Sequence, residues 1–68
     1  MNKNLLRSIM VLHGDTNMIL AKYLGMSKQS LSAKLNENKQ EFTQGEIAAI
    51  RKRYELSDSQ LVAIFFAN

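Results

Sequence analysis

The chain has 68 residues, 46% of them hydrophobic, with three glycines, no proline and no cysteine. That describes one small domain, close to the lower size at which a chain folds unaided. Without cysteine there is no disulfide framework and no thiolate zinc site, and a single histidine argues against a structural metal, so helix packing must hold the fold together. The net charge of +3 is unevenly spread: Lys3, Arg7, Lys22, Lys28, Lys34 and Lys39 against Asp15 and Glu37 give +4 over residues 1–40, while Arg51, Lys52 and Arg53 against Glu41, Glu46, Glu55 and Asp58 give −1 over residues 41–68.

The apolar run at residues 9–12 is too short and interrupted for a signal peptide, and the run at 61–67 is far short of a membrane span. The expectation is a soluble, cytoplasmic protein. No internal repeat, linker or low-complexity segment breaks the chain.

The first predicted helix starts near Asn2 or Asn4 and ends at His13. Leu5, Leu6, Ile9, Met10 and Leu12 supply its apolar side, and Gly14 supplies its C-cap. His13 beside Asp15 lacks any activated nucleophile nearby, and is read as a helix-end histidine facing the C-terminal dipole. Asp15 or Thr16 caps the second helix, residues 16–24, in which Leu20, Ala21 and Leu24 share one face. Gly25 follows the last apolar residue, where a helix stops by turning left-handed at low steric cost.

Met26, Ser27 and Leu31 then open the third helix, residues 27–36, with Ser27 as N-cap and Met26 stapled to Leu31. Leu31 and Leu35 form its inner stripe. Residues 37–41 are polar and without periodicity, and read as a loop. Phe42, Thr43, Glu46 and Ile47 repeat the capping device as a full capping box and staple. They open a fourth helix from Gln44 to about Tyr54 that buries Ile47, Ile50 and Tyr54. Leu56, Ser57, Gln60 and Leu61 repeat it again and open a fifth helix running to about Phe66.

Residues 16–36 therefore read as two short helices meeting at a glycine, which is a helix-turn-helix. Ala21 suits this reading, because two helices crossing steeply over a short turn leave room for only a small side chain. With Thr16, Leu20, Ala21, Leu24, Gly25, Ser27, Leu31, Ser32 and Asn36 in that order and spacing, the chain resembles the Cro/C1-type helix-turn-helix family of small phage and bacterial repressors. The resemblance covers most of the chain and implies an all-α, lambda-repressor-like bundle of about five short helices. It looks most like the short Cro-like lytic repressors and the modulator-of-repression anti-repressors. The chain departs from the family pattern at Asn17, where glutamine is usual, at Lys34, often apolar, and at Asn36-Glu37, where Asn-Gly is usual.

The implied function is a transcriptional regulator of the lysis/lysogeny genetic switch, working in the cytoplasm of a bacterial host and binding double-stranded operator DNA. Its third helix would lie in the major groove. Lys28, Gln29, Ser32 and Ala33 would reach base edges: Gln29 suits adenine, Lys28 guanine, and the Ala33 methyl thymine. Asn17, Ser27, Ser30, Lys34, Asn38 and Lys39 would touch phosphates, which position the protein without reading sequence. One helix-turn-helix reads one half-site, so a homodimer is expected, with Val62 and Phe66 as candidates for that contact. The alternative is an anti-repressor that captures a CI-type repressor directly, using the same apolar C-terminus.

Arg51-Lys52-Arg53 reads as a solvated helix end favoured by the dipole, with Arg51 paired to Glu55 at i, i+4. An enzyme is not expected. There is no glycine-rich phosphate loop, no histidine pair and no carboxylate pair at catalytic spacing, and no cofactor is implied.

Overall fold

Capping chemistry local to each segment decides where the helices begin. A computed structural model describes residues 1–36 and 40–66, and among these the elements are α1 (Lys3–Leu12), α2 (Asn17–Leu24), α3 (Lys28–Leu35), α4 (Gln44–Tyr54) and α5 (Asp58–Leu61). Asn2, Thr16, Ser27, Thr43 and Ser57 stand at the five N-caps, and each side chain accepts the backbone N–H three residues on. A cap of this kind contributes about 1 kcal/mol by meeting a donor the helix itself leaves unpaired. Thr43 with Glu46, and Ser57 with Gln60, complete reciprocal capping boxes. Thr16, not Asp15, caps α2, and that leaves the Asp15 carboxylate for another use.

The C-termini of three helices also share one device. In α2 the Met26 N–H reaches back to the Ala21 carbonyl at 3.0 Å and the Gly25 N–H to that of Lys22 at 3.2 Å. This Schellman pairing requires a left-handed residue between them, and Gly25 has φ +73°. The end of α1 repeats the pattern, with Asp15 bonded to Met10 and Gly14 to Val11. In α4 the Leu56 N–H bonds to the Arg51 carbonyl at 3.0 Å, but the left-handed position is held by Glu55, at φ +51°. Glu55 is thus carried out of the helical i+4 position. Arg51 pairs instead with Asp58, in the first turn of α5, which corrects the Arg51–Glu55 expectation.

Helices α1 to α4, the turn after α4 and residues 62–66 supply one core, against which Leu61 of α5 packs. Leu6, Met10, Leu20, Ala21, Leu31, Leu35, Ile50, Tyr54, Leu56 and Ile64 are all buried. Ala21 is 2% exposed in α2, beside the turn into α3, as the tight helix-turn-helix crossing requires. Each fully buried leucine or isoleucine contributes roughly 1.5–3 kcal/mol relative to exposure. Leu12, expected on the apolar side of α1, is instead 82% exposed. It lies on the Leu5 side of the helix by register, but it stands in the last turn, where no described element covers it.

The fifth helix reaches Phe66 as expected, though not as a regular α-helix. After Leu61 it widens into a π-helical segment, Val62–Phe66. The segment buries Ile64, leaves Val62 and Phe66 outside, and sets Phe65 edge-on to Phe42 with ring centroids 5.8 Å apart. The Ile64 carbonyl accepts the Asn2 N–H at 2.7 Å, fastening the start of α1 to the π-helical segment. No described helix is long and apolar enough to cross a membrane.

Candidate nucleic-acid interface

The outer face of α3 is built by subtraction. Leu31 and Leu35 are fully buried, so the register of the helix turns Gln29, Ser32, Ala33 and Asn36 away from them, while Lys28, on their side by register, stands exposed as the first residue of the helix. These five line one shallow, open depression. The side chains of Lys28 and Gln29 are exposed and make no hydrogen bond or ion pair with any other described residue. An ammonium, a carboxamide, a hydroxyl and a methyl thus stand free on one face.

Ser27 and Ser30 are already engaged. The Ser27 hydroxyl accepts the Ser30 N–H at 3.1 Å and donates to the Ser30 hydroxyl at 3.0 Å, so their first role is to start the helix. Asn17, half-buried in the first turn of α2, stays near the helix-turn-helix without a described partner. Asn38 and Lys39 lie outside the described residues.

Lys34 is taken away from this face, which corrects its assignment as a phosphate contact. Its ammonium lies 2.7 Å from Glu46 Oε1 and 3.3 Å from the Glu41 carbonyl, with the side chain only 13% exposed. The ammonium also stands 5.9 Å from the centre of the Phe42 ring. The same Glu46 oxygen accepts the Thr43 N–H at 2.9 Å, so one carboxylate serves both the α4 cap and the tie to α3. Burial pushes the Glu46 carboxyl up, but Lys34 and the Thr43 donors outweigh it and hold it below the usual range.

A basic residue that sequence reasoning passed over joins the face. Lys3, at the start of α1, donates to Asn36 Oδ1 at 3.3 Å and so stands at the C-terminal end of the α3 face. The two residues are 33 positions apart, and no local pattern could have paired them.

Arg53 is the other departure from expectation. It is no solvated helix end: its guanidinium donates to both Asp15 oxygens, at 2.6 and 2.8 Å, and stacks over the Tyr23 ring at 4.6 Å. The Tyr54 hydroxyl donates to the same carboxylate at 2.6 Å. Hydrogen bonds from Arg53 dominate, burial opposes them and Tyr54 adds to them, so the Asp15 carboxyl is held down at about 2. Burial, reinforced by the anionic Asp15, pushes the Tyr54 phenol well above its ordinary range. His13 is the α1 C-cap, as its helix-end position suggested, with its ring 5.0 Å from that of Tyr54. The cluster ties the α1–α2 turn to α4 and holds α2 in place beneath α3.

Comparison with family models, with characterised proteins and with solved structures finds no match to this chain.

Proposed function

We propose that the protein is a small DNA-binding transcriptional regulator of the Cro type, with α3 entering the major groove of a double-stranded operator. The observation that carries this reading is the free face of α3. Lys28, Gln29, Ser32 and Ala33 project together from a helix whose opposite side is locked into the core. The residue types match base-edge chemistry: a carboxamide for adenine, an ammonium for guanine, a methyl for thymine. The charge balance supports it as well. Asp15 is the only acidic residue among the first 36, and it is neutralised by Arg53. Lys3, Arg7, Lys22 and Lys28 therefore dominate the helix-turn-helix side of the molecule.

The test is titration of duplex DNA from the region flanking its own gene, at several salt concentrations. Saturable binding to one short site, weakened by Lys28→Ala and relaxed in sequence preference by Gln29→Ala, is expected. Binding that ignores sequence and both substitutions would sink the reading.

A second reading is favoured by a separate observation. Val62 and Phe66 are 54% and 63% exposed on the π-helical segment, an apolar pair without cover among the described residues. In a regulator they would join two copies on a near-palindromic operator. In an anti-repressor they would seat a CI-type repressor. Size-exclusion chromatography of the protein alone, and mixed with a repressor encoded beside it, separates the two outcomes.

A further inference from the structure

Seven large hydrophobic side chains are exposed among the described residues, and five of them fall between residues 11 and 23: Val11, Leu12, Met18, Ile19 and Tyr23. Val11 and Leu12 end α1, while Met18 and Ile19 stand in the first turn of α2, across a four-residue turn. Tyr23 follows Ile19 at i+4, so the two share a face of α2. Val11, Leu12 and Met18 are 76%, 82% and 64% exposed. Scattered apolar residues on a surface are ordinary. Five within one α1–α2 corner of thirteen residues is a concentration of the kind that marks interaction sites.

We propose that this α1–α2 corner is a docking surface for a partner protein that presents an apolar centre flanked by aspartate and glutamate. The charge around the corner selects that partner. Arg7 precedes Val11 by one helical turn, and Lys22 follows Met18 by one turn. Neither makes an ion pair with a described residue. The sole carboxylate of the corner, Asp15, is 6% exposed and closed off by Arg53 and Tyr54. The patch thus has a cationic rim and no accessible anion. A second copy would bring two cationic rims together, whereas acidic flanks would complement them. Arg7 and Lys22 stand where an interface carries its polar rim around an apolar centre.

The corner is also held ready. Gly14 and Asp15 donate back to carbonyls of α1, Thr16 caps α2, and the Tyr23 hydroxyl reaches the Ala49 carbonyl at 3.4 Å. The Asp15–Arg53 pair fastens the turn to α4. Little ordering is left for the partner to impose, which is the condition under which a small patch binds usefully. The base-reading face of α3 plays no part in this docking.

The experiment uses the full chain, labelled with ¹⁵N, and a synthetic helical peptide with Leu and Phe at i, i+3, i+4 and i+7 and Glu flanking them. A second peptide replaces every Glu by Lys. Saturable binding of the acidic peptide, with amide shifts concentrated in residues 11–23, is expected. Affinity should fall at least about tenfold for the Lys peptide, for Leu12→Ser and for Met18→Ser. Lys22→Glu, which leaves the apolar patch whole, should weaken the acidic peptide and strengthen the basic one.

The proposal is overturned by shifts that map elsewhere, by equal binding of the two peptides, or by absence of saturation. It is equally overturned if sedimentation shows a dimer that Leu12→Ser dissociates. The same holds if anionic phosphatidylglycerol vesicles or duplex DNA perturb residues 11–23 while the acidic peptide does not.

Discussion

Arg53 and Asp15, 38 residues apart, are joined through both guanidinium-facing oxygens of one carboxylate, at 2.6 and 2.8 Å. The pair is the long-range clasp of the fold, because it connects α4 to the turn that sets the angle between α1 and α2. The Asp15 carboxyl falls from an ordinary 3.8 to about 2 on folding. The folded state therefore binds fewer protons than the unfolded chain between those values. The contribution is complete above about pH 5 and disappears as the pH falls through 4 towards 2. Asp15→Asn should cost about 1–2 kcal/mol at neutral pH, a value reduced for the solvent around Arg53. Urea melts at pH 7, 4 and 2.5 check this: the gap between wild type and variant should close as the pH falls. A gap that stays constant would show that the charge of Asp15 contributes nothing.

Two of the three left-handed C-terminal positions call for opposite substitutions. At Gly25 an added Cβ meets no atom within 4 Å, so the penalty of Gly25→Ala is conformational and should be about 1 kcal/mol. At Glu55 the strain is already present, at φ +51°. Glu55→Gly should therefore stabilise the protein by roughly 0.5–1 kcal/mol. Thermal unfolding of both variants gives the signs directly, and two changes in the same direction would contradict the shared mechanism.

Two lysines of α3, six residues apart, should behave differently. Lys28 is free on the outer face, while Lys34 is tied to Glu46. Lys28→Ala should leave the melting curve unchanged and cost DNA binding about 1–3 kcal/mol, with preference relaxed at the guanine it reads. Lys34→Ala should lower stability by about 1 kcal/mol and leave base preference alone. Unchanged preference at every base pair for Lys28→Ala would remove Lys28 from the base-reading face.

Leu35 and Leu12 make a matched pair of leucines. Leu35 is fully buried, and Leu35→Ala should cost about 2–5 kcal/mol, enough to threaten a domain of this size. Leu12 is 82% exposed, and Leu12→Ala should stay within about 0.5 kcal/mol of wild type. Denaturant midpoints compare the two, and a large loss at Leu12 would show that the corner is covered in solution.

Much of the fold was legible in the chain because its signals are short-range. A cap and its N–H lie three residues apart, a staple spans five, and the glycine that ends α2 directly follows the helix. Ser27, Thr43 and Ser57 accordingly begin helices where their spacing predicts, and Leu31, Leu35 and Ile50 are buried as the periodicity requires. Part of the outer face of α3 follows from the same periodicity, since fixing Leu31 and Leu35 inward leaves Gln29, Ala33 and Asn36 outside, whereas Lys28 shares the Leu31–Leu35 side by register and is exposed as the first residue of the helix. The end of α4 at Tyr54 was legible as well, but not the left-handed turn at Glu55 after it, because glutamate carries no left-handed signature.

What only the tertiary structure decided is where long side chains find partners and how far the core reaches. Lysine and arginine span several ångströms, so register does not say whether Lys34 meets solvent or Glu46, or whether Arg53 meets water or Asp15. Periodicity likewise assigns Leu12 to the apolar side of α1 without saying that the neighbouring elements stop short of it. The sequence by itself determined the helices, their ends and their buried stripes. Packing decided which cations remain free and which apolar residues remain uncovered, because both depend on distances between segments far apart in the chain.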